Sequence, residues 1–263
     1  MARVSSTLSS LQKRCGLIPF ITAGSPNIEG TEQALKILDK SGADIIEIGL
    51  PYSDPLADGP IIQGASNEAL KHGMNFDILL ELLHNVRDSL QTPLVLFTYY
   101  NPIIARGILP FVEAIAEAGI QGLIVPDLPL EEADYMLDIC HSLSIELILL
   151  ITPTSSIKRI NSIIEKSQGV IYIVSSTGVT GMRESINQDM QTFISTIRSR
   201  TDKLLIIGFG ISNLKHVQQI MNWDIDGIVI GSAFVNRLSN PDLNCGLNDM
   251  EHFCLSVNQT LNT

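Results

Sequence analysis

The chain has 263 residues, 45% of them hydrophobic, with 17 Lys plus Arg against 28 Asp plus Glu and a formal net charge of −11. That acidity, without any Lys/Arg block, argues against nucleic-acid or acidic-membrane partners and leaves phosphate binding as a local matter. No apolar stretch approaches the roughly 18 residues of a membrane span, and Cys15, Cys140, Cys245 and Cys254 form no CxxC pair, so they read as reduced thiols in a cytosol-like compartment.

The N-terminus is rich in Ser and carries no acid before Glu29, a faintly transit-like composition. Val4, Leu8 and Leu11 nevertheless recur at helical spacing, which predicts a short helix packed on the body. Apolar runs then appear at 16–24, 43–50, 93–100, 122–127, 146–153, 169–176, 203–210 and 227–234. Their near-continuous apolar character suits strands buried on both faces, as in parallel sheets. Amphipathic stretches separate them, for example Ala34, Leu35 and Leu38 in the first gap and Met136, Leu137, Ile139 and Leu143 in the fourth. A short helix is expected at 233–238, and Met250, Phe253, Val257 and Leu261 predict a final amphipathic one. Eight β-then-α units in a chain of this length predict one domain over 1–263, a (β/α)8 barrel with extra N-terminal and loop helices. A doubly wound open sheet is the alternative.

Glu47 is the only charged residue in mid-run among the eight, and none of the runs carries a Lys, Arg or His in its middle to pair with it. Alternation puts Ala43, Ile45, Glu47 and Gly49 on one face and bulky Ile46, Ile48 and Leu50 on the other, so Glu47 is expected to face the barrel interior near the active, C-terminal end. Burial without a cation raises a carboxyl's pKa toward neutrality, which suits a general acid/base. The plainer alternative is a structural acid bonded to backbone amides or Tyr hydroxyls. Asp58 follows in the Pro51 to Pro60 loop, where it would give the site a second carboxylate in a different environment. Asp54 could play the same part, and either could be only a turn aspartate.

Gly208-Phe-Gly-Ile-Ser212 and Gly231-Ser-Ala233 close the seventh and eighth runs. Glycines there let backbone N–H groups approach an anion, and these two loops are the recurring phosphate site of such barrels. Gly181, in the glycine-containing loop after the sixth run, would add another N–H on closure. His72, His84, His141, His216 and His252 fall in helical or peripheral stretches without metal-ligand spacing, so no metal is expected. No lysine stands in a strand core, which disfavours Schiff-base chemistry. Phe20, Tyr99, Tyr100, Phe209 and Ile62 offer a wall for a flat apolar substrate, although core packing explains most of them equally well.

Phe20-Ile-Thr-Ala-Gly24, Glu47-Ile-Gly-Leu-Pro-Tyr-Ser-Asp-Pro-Leu-Ala-Asp-Gly-Pro60, Pro126-Asp-Leu-Pro129, Thr177-Gly-Val-Thr-Gly181 and Gly208-Phe-Gly-Ile-Ser212 together resemble the signature segments of the tryptophan synthase alpha chain family. The resemblance implies a lyase of tryptophan biosynthesis that cleaves indole-3-glycerol phosphate to indole and glyceraldehyde 3-phosphate, with no cofactor in this chain. It implies Glu47 as the general acid/base and Asp58 as the partner of the indole N–H. Phe20 and Tyr99 would line the indole pocket, Tyr172 would sit beside Glu47, and Thr180 would bond Asp58 when its loop closes. Gly181, Gly210, Gly231 and Ser232 would hold the phosphate. The implied partner is a tryptophan synthase beta chain carrying pyridoxal phosphate, in an alpha2beta2 complex met by 51–60 and 126–129, in a cytoplasm or plastid stroma. One departure is Ser176, where some members carry an Arg, so any coupling that uses that Arg must run here through other groups. A phosphosugar isomerase or epimerase on the same barrel, and a non-catalytic activating subunit, remain as alternatives.

Overall fold

The computed structural model describes residues 3–12, 15–174, 188–208, 210–211 and 213–263. In chain order the elements are α1 (Arg3–Ser9), β1 (Gly16–Thr22), α2 (Ile28–Lys40), β2 (Ile46–Gly49), α3 (Pro60–Lys71), α4 (Phe76–Val86), β3 (Leu94–Phe97), α5 (Tyr100–Arg106), α6 (Ile108–Glu117) and β4 (Ile120–Ile124). They continue as α7 (Ala133–Ser142), β5 (Glu146–Ile151), α8 (Ile157–Lys166), β6 (Val170–Val174), α9 (Gln188–Arg198), β7 (Leu204–Gly208), α10 (Leu214–Ile220), β8 (Gly227–Ile230), α11 (Ser232–Leu238) and α12 (Leu243–Leu261). Each strand pairs in parallel with the next, and β8 returns to β1 through Gly16↔Gly227 and its neighbours, closing the (β/α)8 barrel. The open-sheet alternative is thereby excluded. Every expected strand is present. β1, β2, β3, β5 and β8 end before their apolar runs do, because residues such as Leu50 and Tyr99 stay buried after leaving the ladder. β4 instead starts two residues earlier than its run, at Ile120, since polar Gln121 hides the start of the strand.

Two apolar layers result from strand alternation. Leu17, Ile21, Ile46, Ile48, Leu96 and Ile207 face outward and pack with the helices. Ile18, Phe20, Ile45, Val95, Phe97, Tyr172, Ile206 and Val229 face inward. Ile46, Ile48 and Leu50 therefore lie where the alternation puts them, whereas Ala43 precedes the strand and packs in the outer layer. Val4 and Leu8 of α1 join the inner layer, so the N-terminal helix covers the end of the barrel where the strands begin. Among the described residues no helix is long and apolar enough to cross a membrane.

That lower end is held by side chains that complete the ladder. Asp44 Oδ2 accepts from Leu17 N–H at 2.7 Å, Gln121 Oε1 from Leu94 N–H at 2.7 Å, Gln168 Oε1 from Leu147 N–H at 3.2 Å and Asp226 Oδ2 from Leu205 N–H at 2.7 Å. In each case an acceptor at the start of an even strand takes an N–H at the start of the preceding odd strand, where the slanted parallel ladder has no carbonyl to offer. Glu146, fully buried, adds a further link: Oε1 accepts from Val170 N–H at 2.7 Å, and Oε2 accepts from the Ser5 N–H at 3.1 Å and from the Ser5 hydroxyl. A Cβ on Gly169 would stand 2.8 Å from Glu146 Oε1, so glycine leaves room for this clamp.

Removing such an acceptor orphans a backbone N–H, at a cost of about 1–3 kcal/mol each. Asp44→Ala is expected to lose that much in urea unfolding, and Glu146→Ala, which strands three donors, to lose more. Losses inside the error of the measurement for both variants would show the side-chain acceptors to be dispensable.

Candidate active site

At the opposite end of the barrel, Glu47 sits in β2 between Phe20 of β1 and Val95 of β3, 2% exposed and facing inward. Its Oε2 has no hydrogen-bond partner among the described residues. Burial pushes its carboxyl up to about 8, with the nearby charge of Asp58 adding to the rise. A pocket of about 370 Å³, its mouth included, opens over it, lined by Phe20, Glu47, Asp58, Ile62, Phe97, Tyr172, Gly210, Val229, Gly231 and Ser232.

Two glycines shape the walls. Gly49, two residues above Glu47 on the same face, has no Cβ, and one built there would come within 2.6 Å of Phe20 Cζ. The Phe20 ring therefore lies across β2, and it meets Phe97 edge-on at 5.8 Å between centroids. On the other side a Cβ at Gly208 of β7 would run into the Tyr172 hydroxyl, so that ring lies across β7. Tyr172 is 2% exposed, and burial, then the charges of Glu47 and Asp58, hold its hydroxyl well above the usual range. It stays a neutral donor next to the carboxyls.

Asp58 reaches the pocket because the loop after β2 folds back before Pro60 opens α3. Its N–H donates to the Pro55 carbonyl at 3.0 Å, and its own carbonyl accepts from Gln63 Nε2 at 2.8 Å. The Tyr99 hydroxyl accepts from Ala57 N–H at 3.1 Å and hydrogen-bonds the Asp58 carboxylate. Asp58 is 5% exposed, and burial pushes it up to about 6 against the opposing pull of the Tyr99 bond. Between about 6 and about 8, then, the two carboxyls hold different protonation states, Glu47 neutral and Asp58 ionised.

The pocket brings together Glu47, Asp58, Phe20, Ile62, Tyr172, Gly210, Gly231 and Ser232 from among the residues singled out in the sequence. Tyr99 is not among those lining it. Its ring stands behind Asp58, stacked on Tyr52. Tyr100 heads α5 outside the pocket, with its N–H on Asp127 Oδ1 at 2.8 Å. Thr180, Gly181, Ser176 and Phe209 lie outside the described residues. Phe97 and Val229 were not anticipated as lining residues, although inward alternation with Val95 and Tyr99 would have found Phe97. At the side of the pocket formed after β7 and β8, Gly210 has φ +85, a conformation open to glycine, and the first N–H groups of α11 precede the bonds from Phe234 and Val235 to the Gly231 carbonyl. Among the described residues no cluster of three or more His, Cys, Asp or Glu side chains could hold a metal ion.

Residues 7–261 match the family model described as tryptophan synthase alpha chain. The chain is 52% identical over 254 residues to the tryptophan synthase alpha chain of Pyropia yezoensis, covering 97% of each. It is similar in structure to a Mycobacterium tuberculosis tryptophan synthase chain, with TM-score 0.90 and 30% identity over 100% of this chain and 99% of that one. It is likewise similar to a chain of the tryptophan synthase alpha2beta2 complex of Pyrococcus furiosus, with TM-score 0.86 and 32% identity over 93% and 98%.

A folded-state pKa raised from roughly 4.3 gives Glu47 a stability contribution that is complete in acid and is lost as pH climbs through about 8. Glu47→Gln, which stays neutral, is therefore expected to match the wild type near pH 3, to pull ahead of it progressively above the unfolded value, and to exceed it by roughly 2–5 kcal/mol near pH 9 in urea unfolding. A difference independent of pH would mean that Glu47 titrates as an ordinary carboxyl.

Proposed function

This chain belongs to the tryptophan synthase alpha chain family, and we propose that it cleaves indole-3-glycerol phosphate to indole and glyceraldehyde 3-phosphate by acid/base catalysis at Glu47 and Asp58. The observation that carries the reading is the pair of carboxyls in one pocket, one kept neutral and one ionised near neutral pH. Neutral Glu47 delivers its proton to the indole ring carbon that bears the glycerol phosphate. The ring becomes an indolenine cation whose N–H is held by ionised Asp58. The bond from that carbon to the glycerol chain then breaks, its electrons returning to the ring. The adjacent hydroxyl surrenders its proton to the Glu47 carboxylate, leaving an aldehyde and restoring the acid. No water is consumed, and the protonated ring is itself the electron sink.

Phe20, with Phe97 and Ile62, forms the apolar wall for the indole, and Tyr172 lies beside Glu47 as a hydroxyl donor. Tyr99 serves the substrate indirectly, by holding Asp58. Gly181, Gly210, Gly231 and Ser232 take the phosphate through N–H groups and a hydroxyl, and Thr180 bonds Asp58 when its loop closes. The partner is a beta chain that carries pyridoxal phosphate and receives the indole in an alpha2beta2 assembly. In support, Leu56, Ile104, Tyr135 and Ile157 are 72%, 52%, 60% and 47% exposed on segments that follow β2, β3, β4 and β5, the end of the barrel where the pocket opens. None of the four cysteines is in a disulfide, which agrees with a cytoplasm or plastid stroma.

An indole-release assay on indole-3-glycerol phosphate, with and without a beta chain, tests this reading. Glu47→Gln is expected to lose roughly 10²–10⁴-fold in kcat with substrate binding retained. The wild-type profile should be bell-shaped with limbs near about 6 and about 8, and Asp58→Asn should abolish the acid limb. An active Glu47→Gln would point to a non-catalytic activating subunit, and turnover of a pentose phosphate without indole release to an isomerase.

A further inference from the structure

Asp58 is placed by contacts that continue outward to the protein surface. The Tyr99 ring, which bonds Ala57 and Asp58 through its hydroxyl, stacks on Tyr52 with centroids 5.2 Å apart and planes 29° from parallel. Tyr52 is half-buried at the start of the same loop, six residues before Asp58. Its hydroxyl accepts from Asn101 Nδ2 at 3.1 Å, and Asn101 is an exposed residue in the first turn of α5. Tyr99 has no other stacked ring among the described residues; its remaining aromatic neighbour, Phe97, meets it edge-on at 6.0 Å. One face of the Tyr99 ring thus rests on Tyr52.

We propose that Tyr52 is a positioning residue for Asp58, acting through the stacked Tyr99 ring, and that Asn101 fixes Tyr52 from the surface. The proposal rests on the assignment of Asp58 to the reaction. Two ends of one short loop are tied by it: Tyr52 near the beginning and Asp58 near the end both bear on Tyr99, which is anchored just beyond β3. Aromatic pairs favour a defined stacked geometry, so Tyr52 bears on the tilt of the Tyr99 ring and, through it, on the orientation of the carboxylate. A carboxylate that must meet a ring N–H as positive charge develops is sensitive to displacements well below 1 Å.

The test uses the full chain alone, so that a partner touching Asn101 cannot contribute. Tyr52→Ala is expected to lower kcat about threefold to tenfold with KM nearly unchanged, and to move the acid limb of the profile upward, because a weakened Tyr99 bond no longer draws Asp58 down. Tyr99→Phe should act in the same direction more strongly, and Tyr52→Ala should add nothing on top of it. Tyr52→Phe keeps the ring and should restore most of the activity, leaving a small loss equal to that of Asn101→Ala. Tyr52→Leu stands in if Tyr52→Ala fails to fold by circular dichroism. An unmoved acid limb in Tyr52→Ala or Tyr52→Leu, or full additivity with Tyr99→Phe, overturns the proposal while the lyase reading stands. A wild type that releases no indole overturns both.

Discussion

The constraint on which the structure turns is a carboxyl held inside a parallel barrel with no cation among the described residues to neutralise it. Glu146 shows what the fold does with an acid it needs only for structure. It lies at the lower end of β5, fully buried, and its two oxygens accept from Ser5 and Val170. Glu47 is almost as buried at the upper end of β2, yet one of its oxygens meets no donor among the described residues. The difference is not burial but donors. At the lower end, backbone N–H groups left over by the slanted ladder converge on acidic and amide side chains. At the upper end Glu47 stays within the ladder, whose backbone groups are already paired with Phe20 and Val95 neighbours. The lower end stabilises, and the upper end stores the perturbed group that chemistry uses.

Keeping Glu47 protonated also depends on what surrounds the pocket. Gly49 and Gly208 let the rings of Phe20 and Tyr172 lie across neighbouring strands, so apolar surface is packed over the acid on both sides. Asp58 faces the same space, but the Tyr99 hydroxyl favours its charged form. Two carboxyls with similar intrinsic acidity are thus pushed apart by one hydroxyl and by the depth of burial, the arrangement acid/base catalysis requires.

Much of this was legible in residue order. Apolar runs bounded by turn residues located all eight strands, and alternation within Ala43 to Leu50 was enough to turn Glu47 inward and Ile46, Ile48 and Leu50 outward. Asp58 could be named but not placed, because a proline-flanked loop can fold over the barrel mouth or away from it, and the deciding contact, Tyr99 to Ala57 and Asp58, spans about forty residues. The same limit applied to Tyr99, whose inward position fits a pocket wall as well as a support. The lower clamps were hidden for a different reason: Asp44, Gln121, Gln168 and Asp226 look like ordinary polar flanks until a neighbouring strand supplies the N–H.

The proposed phosphate site and the neutral Glu47 are electrostatically linked. Among the described residues that line the pocket there is no Lys, Arg or His. A cation placed about 7 Å from Glu47 to bind phosphate would attract its charged form by roughly 2 kcal/mol at an effective dielectric near 20, enough to pull the carboxyl down by more than one pH unit. Glu47 would then be ionised near neutrality and unable to begin the reaction by giving up a proton. Backbone N–H groups at Gly210 and Gly231, with the Ser232 hydroxyl, can bind an anion through dipoles whose field fades over a shorter range than that of a full charge. On this view the glycines after β7 and β8 and the lone acid in β2 solve one electrostatic problem, and a lysine added to improve phosphate affinity would do so at the expense of catalysis.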